Sequence, residues 1–423
     1  MLERLVPLLG LTAFVGIALL LSTNRRAAIR RWDLILWGFG LQFICALLVL
    51  RTETGQYLMR KFNDGFVAVV NVTQAGSGFL FNPLLDPSRF GFIVAFQVLP
   101  TIIFFSALMS LLYHFGILQV VVRALAWLMH KTMRTSGAET LSAAGNIFVG
   151  QTEAPLMVRP FLPRMTRSEL MTVMTGGFAT VAGGVMAAYV GMLDPHIPGI
   201  AGHLLAASLM SAPAALLFGK LMVPETETPE TADSVRVHVE RPSANAFDAI
   251  TLGTREGLSL ALNVGAMLLV FLAMIALVDL MLTAVGKGIW FSQPEWWSLR
   301  GLVGFVFAPV AWVMGVTDWN EALQVGRLLG VKMVTNEFVA YDDLARMLNT
   351  TTEAAPVLSD RARVIATYAL CGFANFGSIG IQIGGLSLMA PERRVDLSQL
   401  ALRAMIAGTL ACNATACVAA ILL

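Results

Sequence analysis

Charged residues are scarce in this chain. Asp, Glu, Lys and Arg make up 13% of its 423 residues, against about 25% in soluble proteins. Hydrophobic residues account for 57%, and the mean hydropathy is +0.72. This balance excludes an ordinary soluble domain and is typical of a polytopic α-helical membrane protein.

Cysteine and histidine are also rare. The 4 cysteines all fall in apolar stretches, and the 5 histidines show neither an HExxH motif nor any paired spacing suited to zinc. The net charge is only +2, and the Lys and Arg residues are dispersed, so the sequence shows no basic patch of the kind that binds nucleic acid. A disulfide framework, a metalloenzyme and a nucleic-acid-binding protein are therefore not expected.

Long apolar runs dominate instead. A window of about 20 apolar residues can cross the hydrocarbon core, and eight windows qualify: 4–22, 33–50, 90–113, 168–190, 199–219, 264–285, 361–385 and 398–421. The first lacks a cleavage site and precedes a basic run, so we interpret it as a retained span. Basic residues after the first, third and seventh windows share one side if both termini face away from the cytoplasm.

Other segments separate these windows. Residues 59–72 and 117–129 mix apolar and charged positions at helical spacing, which predicts helices along the membrane interface. Residues 223–245 are polar, rich in Pro and Thr, and without periodicity. We interpret them as a flexible cytoplasmic linker without chemistry. The linker divides an N-terminal part (1–89) and a first repeat (90–222) from a second repeat (246–423).

Matching strings on the two sides of the linker indicate an internal duplication. AWLM at 126–129 matches AWVM at 311–314, Glu153 matches Glu337, and GFAT at 177–180 matches GFAN at 372–375. Chance recurrence of short Ala, Gly and Trp strings is the alternative. An odd number of spans separates the copies, so the second should be inverted. Inverted repeats are typical of secondary transporters, which bind substrate between the repeats.

Both matched glutamates lie in apolar segments that are too interrupted to span the membrane. Gly, Asn, Gln and Pro break residues 137–160 around Glu153, and Gly and Asn break residues 319–348 around Glu337. We predict two re-entrant hairpins from opposite sides, with the second half-helix of each directing its N-terminus at a shared cavity. A carboxylate at the membrane centre costs about 2.5 to 3.5 kcal/mol, which favours a polar ligand there. Simple capping of helix ends by the glutamates is the alternative.

Neutral polar groups accompany the glutamates, namely Gln151, Thr152, Asn336, Asn375 and Ser378. Neither predicted hairpin tip carries Arg or Lys, which an anionic substrate would need. The cavity is therefore expected to suit a neutral solute rich in hydroxyl and amide groups.

Three strings give the chain a specific resemblance. GNIFVGQTEAPL at 145–156, TNEFVAY at 335–341 and CGFANFGSIGIQIGG at 371–385 resemble the concentrative nucleoside transporter family in its bacterial form, over nearly the whole chain. The resemblance implies an all-α polytopic membrane protein with eight transmembrane helices, two opposed re-entrant hairpins in an inverted repeat, and interfacial helices. It also implies a homotrimer that imports nucleosides with a cation gradient. We expect it in the bacterial inner membrane, without a covalent cofactor and with both termini periplasmic, as the distribution of basic residues indicates.

The resemblance further implies a role for individual residues. The implied nucleobase-binding residues are Gln151, Thr152, Glu153 and Val185. The implied ribose-binding residues are Glu337, Asn375 and Ser378, with Asn336 and Phe373 as support or wall of the pocket. Sodium would bind the side chains of Asn146 and Thr180 and the backbone carbonyls of Val149 and Val181, an all-oxygen set that suits a hard cation.

Alternatives to sodium-coupled transport stay open at this level. Two membrane carboxylates can carry protons, so proton coupling is one alternative. An intramembrane enzyme that uses Glu153 and Glu337 as acid and base is another. A channel is conceivable, although several directional hydrogen bonds would bind a solute too tightly for conduction. The preference between purine and pyrimidine nucleosides is not encoded in these patterns.

Overall fold

The computed structural model describes residues 2–90, 93–232, 243–289, 297–349 and 357–423. Every regular element in these ranges is helical. The α-helices are α1 (Leu2–Leu20), α2 (Arg25–Arg30), α3 (Trp32–Arg51), α4 (Glu53–Phe81), α5 (Pro87–Phe90), α6 (Val94–Gln97), α7 (Leu99–His114), α8 (Ile117–Met133), α9 (Gly137–Gly145), α10 (Arg167–Ala179), α11 (Gly183–Leu193), α12 (Ile200–Met222), α13 (Ala246–Ile289), α14 (Leu299–Val313), α15 (Trp319–Val334), α16 (Glu337–Asn349), α17 (Asp360–Leu370), α18 (Phe376–Met389) and α19 (Arg394–Leu422).

Long apolar helices dominate, as the composition predicts. Within the described ranges, six helical stretches are long and apolar enough to cross a membrane: Trp32–Arg51, Val94–His114, Arg167–Leu193, Ile200–Met222, Ala246–Gly286 and Pro391–Leu422. Shorter apolar helices cover Arg4–Leu20, Leu299–Val313 and Phe376–Met389. The all-helical membrane class is confirmed, and the count of eight spans stays a prediction.

Two of the predicted spans are broken near their middle. The window 168–190 contains α10 and α11, which residues 180–182 separate, and the window 361–385 contains α17 and α18, which residues 371–375 separate. The apolar windows alone did not predict these two breaks. Average hydropathy misses such breaks because the residues that form them are themselves small or apolar.

The two breaks lie against each other. Gly372, in the second break, has a φ of +154°, a backbone conformation that glycine alone adopts readily. A side chain there would come within 2.6 Å of the Cys412 sulfur and 2.8 Å of the carbonyl oxygen of Phe178, near the end of α10. Only a bare backbone permits this approach. The matched strings GFAT and GFAN therefore end where the two broken spans meet.

The segment around Glu153 turns back without a second α-helix. After α9, its return consists of turns and of the 3₁₀ helices Ala154–Val158 and Leu162–Arg164. Three prolines, Pro155, Pro160 and Pro163, lie in this return, and each removes a backbone donor that an α-helix would use. The predicted second half-helix is therefore a 3₁₀ helix here and not an α-helix. Around Glu337, by contrast, α15 and α16 are both α-helical and flank a break at residues 335–336.

The order of the helices recurs in the two halves of the chain. In the first half, α7 is followed by α8, the arm α9, the broken pair α10 and α11, and α12. In the second half, α13 is followed by α14, the arm α15, the broken pair α17 and α18, and α19. The AWVM string ends at the C-terminus of α14 and matches AWLM in α8, although no interfacial helix was predicted there. The opposed orientation of the copies stays a prediction.

The described helices divide into a buried centre and a more exposed group, which includes α3, α7 and α13. The apolar windows of Arg167–Leu193, Ile200–Met222 and Pro391–Leu422 are 94%, 83% and 78% buried. Helices α7 and α13 pack against each other, yet their apolar windows are only 22% and 6% buried. The first broken span, α12 and α19 thus lie in the centre, and the outward face of α13 is available to lipid or to another chain.

The start of the polar linker is bound to the protein. The Glu225 carboxylate lies 2.9 Å from the ammonium nitrogen of Lys220, which is buried and requires a counter-charge. The carbonyl of Thr231 accepts the N–H of Gly137, at the beginning of α9, at 2.9 Å. The prediction of flexibility is wrong for the first ten residues of the linker, and residues 233–242 lie outside the described part of the chain.

Candidate binding site

Glu337 begins α16 directly after the break between the two arms. The side-chain oxygen of Asn336 accepts the N–H of Val339 at 2.9 Å, so Asn336 caps the helix. The Glu337 side chain is buried and sits at the N-terminus of α16, where the helix dipole favours negative charge. Asn336 therefore acts on the site by fixing the start of the helix that carries the carboxylate.

Two neutral donors hold the carboxylate of Glu337. The Tyr189 hydroxyl, on α11, donates to Oε1 at 3.1 Å, and the Asn375 amide donates to Oε2 at 2.9 Å. Tyr189 is fully buried, and its ring lies 4.4 Å from that of Tyr341, centroid to centroid. Because a carboxylate has about four acceptor positions, two donors leave room for hydroxyl groups of a ligand.

Asn375 has a second role at the start of α18. Its Oδ1 accepts the backbone N–H of Ser378 at 2.8 Å, while its Nδ2 donates to Glu337. One amide thus caps a helix and orients the carboxylate. Ser378 is buried in the same turn. The structure brings together the three residues that were predicted to bind ribose.

Gln151 joins the first interrupted segment to α18. Its Oε1 accepts a hydrogen bond from Gln382 Nε2 at 3.1 Å, and its Nε2 lies 3.5 Å from the Ser378 hydroxyl. Gln382 Nε2 also donates to the carbonyl of Met174 at 3.0 Å. Gln382 was not among the predicted site residues, although a buried amide in an apolar run was a usable signal. Tyr189 was also missed, and nothing in the sequence separates it from an ordinary core aromatic.

The two interrupted segments are connected crosswise. Gln151, in the first half of the chain, bonds to α18 in the second half, and Glu337, in the second half, bonds to Tyr189 in the first half. The linked residues are, in order, Tyr189, Glu337, Asn375, Ser378, Gln151 and Gln382. We call this set the polar relay. Displacing either segment must break hydrogen bonds to the other half.

Glu153 lies outside the polar relay. Its carboxylate folds back toward Gly150, and its Oε2 is buried without a hydrogen-bond partner in the described part of the chain. The Thr152 methyl group packs against Gly385 of α18, where an added Cβ would come within 2.9 Å. A buried acceptor without a partner costs about 1 to 3 kcal/mol, so the Glu153 oxygen is suited to accept a donor from a ligand.

Val185 and Phe373 are buried beside the two breaks. Val185 belongs to the first turn of α11, and Phe373 lies in the residues between α17 and α18. Burial suits a pocket wall and ordinary packing equally. The role of Val185 toward a nucleobase and that of Phe373 as a pocket wall stay predictions.

The residues predicted to bind sodium lie where two helices end close together. Asn146 follows the end of α9, and Thr180 follows the end of α10. The turn after Asn146 touches the first break, since the N–H of Gly183 donates to the carbonyl of Phe148 at 3.0 Å. Asn146 also lies beside α10, because a Cβ on Gly176 would be 3.2 Å from its Nδ2.

The oxygen atoms of this region have the chemistry of a cation site. Asn146 Oδ1 is buried and has no partner among the described residues, while the Thr180 hydroxyl donates to a carbonyl at 2.9 Å and keeps its lone pairs. No backbone N–H of the described chain donates to the carbonyls of Val149 or Val181. Helix C-termini carry partial negative charge. The four residues therefore fit a hard monovalent cation.

Three family models together match most of the chain. The model described as "Na+ dependent nucleoside transporter N-terminus" matches residues 9–84, and "Nucleoside recognition" matches residues 95–196. The model described as "Na+ dependent nucleoside transporter C-terminus" matches residues 203–420.

Curated relatives are similar along the whole chain. An uncharacterized transporter of Haemophilus influenzae is 45% identical over 96% of this chain and 95% of the relative. Solute carrier family 28 member 3 of Mus musculus is 42% identical over 99% of this chain and 59% of the relative. Sodium/nucleoside cotransporter 1 of Rattus norvegicus is 42% identical over 99% of this chain and 64% of the relative. The chain thus spans about 60% of the length of these two mammalian relatives.

Solved structures of the protein CNTnw have the same fold. An inward-facing, substrate-bound state is 41% identical, with a TM-score of 0.89 over 99% of this chain and 98% of that chain. A variant of CNTnw in an outward-facing state is 42% identical, with a TM-score of 0.91 over 100% of this chain and 98% of that chain. The same fold is therefore known in both an inward-facing and an outward-facing state.

Proposed function

The chain belongs to the sodium-dependent nucleoside transporter family, and on that premise we propose that it imports nucleosides across the bacterial inner membrane with a sodium gradient. The family consists of transporters and not of enzymes, which removes the alternative of an intramembrane enzyme. The observation that carries the proposal is the polar relay, because it joins the two interrupted segments through groups that suit a neutral, hydroxyl-rich solute.

The proposed topology has eight transmembrane helices, two re-entrant hairpins in an inverted repeat, interfacial helices and periplasmic termini. Hairpin 1 is the segment 137–164 around Glu153, and hairpin 2 consists of α15 and α16 around Glu337. The recurrent helix order supports the repeat. The two broken helices would face the substrate, since unwound backbone inside a membrane is tolerated where it lines a cavity.

In the proposed pocket, ribose hydroxyls bind Glu337, Asn375 and Ser378, and the nucleobase binds hairpin 1. The two ribose hydroxyls are a pair of donors that a single carboxylate can accept. Gln151 and Thr152 offer groups for the polar edge of the base, and the unpartnered oxygen of Glu153 offers an acceptor for a base N–H. Val185 would lie against the face of the base, and Phe373 would close the pocket.

Sodium is the proposed coupling ion. It would be held by the Asn146 and Thr180 side chains and the carbonyls of Val149 and Val181, and it would neutralise the negative ends of α9 and α10. Binding there would order hairpin 1 and so raise the affinity for nucleoside. Hairpins and broken helices would then move as a transport domain against a scaffold that includes α7 and α13, in a homotrimer.

Uptake of labelled uridine into proteoliposomes tests this function. We expect wild-type uptake under an imposed sodium gradient, little uptake by Glu337→Gln, and a reduced response to sodium in Thr180→Ala. Stimulation by a proton gradient alone, with Thr180→Ala unaffected, would assign the coupling to protons instead. Absence of uridine uptake under both gradients would contradict the proposed function.

A further inference from the structure

Lys332 is a buried cation next to hairpin 2. It lies in the last turn of α15, is 4% exposed, and donates from Nζ to the carbonyl of Ala369 at 2.9 Å. It precedes Glu337 by five positions, so the expectation that no Lys lies at the hairpin tips overlooked it. A charge at membrane depth is expensive and is generally retained for a function.

Lys332 has a counterpart in the first half of the chain. Aligning Glu337 with Glu153 shifts the numbering by 184 positions, so Lys332 corresponds to Phe148. Phe148 stands between Asn146 and Val149, two of the proposed sodium ligands. In sequence, Lys332 of hairpin 2 is therefore equivalent to a residue in the proposed sodium-binding turn of hairpin 1.

The acceptor of Lys332 lies at the end of the corresponding helix, although not at a residue matched to a proposed sodium ligand. Ala369 is in the last turn of α17, directly before the second break, and the GFAT and GFAN strings pair it with Met174 of α10. In the helix order of the two halves, α17 is the counterpart of α10. Both helix ends present carbonyl groups without intrahelical donors and carry partial negative charge. A positive charge between the hairpin arm and the broken helix would therefore stabilise each of these two helix ends.

We propose that the Lys332 ammonium is a built-in counterpart of the coupling sodium. It holds α15 against the end of α17 whether or not sodium is present, whereas sodium joins α9 to α10 only when it is bound. The inference rests on the proposed function. It follows that one sodium ion accompanies each nucleoside and that the ribose half of the pocket is organised without an ion.

The same charge acts on Glu337. The direct hydrogen-bond donors of this carboxylate are the neutral Tyr189 and Asn375, and Lys332 contributes a favourable electrostatic interaction with it. Because Nζ of Lys332 donates its hydrogen bond to the Ala369 carbonyl, it does not occupy the carboxylate oxygens of Glu337. Its charge stabilises the carboxylate over a distance, and these oxygens remain open to the ribose hydroxyls. Lys332 is thus a positioning residue that acts on the nucleoside through Glu337.

Uridine binding across a series of sodium concentrations at constant ionic strength tests the proposal. The proteins are purified wild type, Lys332→Met, Lys332→Asn and Lys332→Arg, with Lys131→Met, an exposed lysine on α8, as the matched control. Calorimetry gives the uridine Kd and the Hill coefficient for sodium, and a melting curve reports stability separately. Double-label uptake by the wild type gives the ratio of sodium to uridine without any variant.

We expect a Hill coefficient of about 1 for the wild type and the Lys131→Met control. Lys332→Met should raise the uridine Kd at saturating sodium by about tenfold, because one charged interaction is lost, and Lys332→Arg should keep more affinity than Lys332→Met. Lys332→Asn supplies an oxygen ligand in place of the ammonium, so its Hill coefficient should rise toward about 2.

Two results would overturn the proposal while leaving the proposed function intact. One is unchanged uridine affinity and sodium dependence in all Lys332 variants with only a lower melting temperature, since Lys332 would then merely cap α17. The other is a wild-type ratio of two sodium ions per uridine. A wild type that does not bind uridine in sodium would overturn the proposed function, and this inference with it.

Discussion

Glu337 is the residue on which the site is built. It is buried at the start of a helix, accepts hydrogen bonds from Tyr189 and Asn375, and interacts electrostatically with Lys332. These groups stabilise the negative charge of Glu337 without occupying all acceptor positions of its carboxylate. A residue that only capped a helix would not require donors from two other helices.

Replacing Glu337 with Gln should remove most nucleoside binding. The amide keeps the size of the side chain but loses the charge and one acceptor, and each hydrogen bond to a charged group contributes about 1.5 to 3 kcal/mol. We expect the uridine Kd to rise by about 100-fold or more by calorimetry. The control is Asp342→Asn, on the same helix but paired with Arg346. Comparable losses in both variants would argue against a special role for Glu337.

Tyr189→Phe should weaken uridine binding without unfolding the protein. The ring would keep its contact with Tyr341, and Glu337 would lose one donor at 3.1 Å. Losing one hydrogen bond predicts an affinity decrease of about 3- to 10-fold. Tyr341→Phe is the matched control, since its hydroxyl bonds to the carbonyl of Thr367 instead. That variant should lower the melting temperature and keep the affinity for uridine, and the reverse pattern would contradict the assignment.

At this scale, the sequence could predict the residues that belong to recognisable strings. Glu337, Asn375, Ser378 and Gln151 were found in this way, and the structure joins them. Tyr189 was missed because its role depends on a contact between distant helices. Lys332 was missed although, like Gln382, it is a polar residue in an apolar run.

The helix breaks are the elements that make the site possible. Each break ends one half-helix and starts another, so carbonyl groups and N–H groups become available inside the membrane. The C-terminal ends of α9 and α10 meet near Asn146, and the N-terminal ends of α16 and α18 meet near Glu337. The helix C-termini thus form the region that suits a cation, and the helix N-termini form the region that holds the Glu337 carboxylate.

Gly372→Ala should destabilise the protein at the second break. The residue has a φ of +154°, and a Cβ would lie 2.6 Å from the Cys412 sulfur. Overpacking of this kind costs about 1 to 3 kcal/mol, so we expect a lower melting temperature in detergent. Gly384→Ala, in α18, is the control because its Cβ would meet nothing within 4 Å. Equal melting temperatures for the wild type and Gly372→Ala would contradict the tight contact.

Thr180→Ala should weaken sodium binding specifically. The hydroxyl is one of the proposed ligands at the end of α10, and losing one such contact should raise the half-saturating sodium concentration by about tenfold. Uridine affinity should recover at high sodium, because the ribose-binding residues are intact. Thr180→Ser retains the hydroxyl and should behave like the wild type. If both variants need equally more sodium, the hydroxyl is not a ligand.

The sequence could predict the apolar elements but not their interruptions. Hydropathy finds the windows 168–190 and 361–385, yet it averages over the few residues at 180–182 and 371–375 that break them. The 3₁₀ return of hairpin 1 was similarly hidden, although its three prolines were visible. A flexible linker was predicted from composition, and burial of Lys220 shows why its first residues are fixed instead.

Over the whole molecule, burial separates two groups of helices. The central α10, α12 and α19 are largely enclosed, whereas the apolar window of α13 is 6% buried although it is the most apolar of the six. Such a helix must face lipid or other copies of the chain. This contrast supports the proposed division into a moving central domain and a peripheral scaffold.

The proposed trimer should be measurable as a mass. Native mass spectrometry in a mild detergent is expected to give three times the 45.6 kDa of the chain. Because α13 exposes a continuous apolar face, we expect the trimer to persist at low protein concentration. A single-chain mass in several mild detergents would contradict the trimer.

Coupling between sodium and nucleoside is the most direct test of the central claim. Hairpin 1 carries Asn146 and Val149 of the proposed sodium site and Gln151 of the polar relay, so each ligand should tighten the other by the same factor. We expect calorimetry to give a uridine Kd at least about tenfold lower in sodium than in choline at equal ionic strength. An equal uridine Kd in the two salts would contradict a sodium-coupled nucleoside transporter.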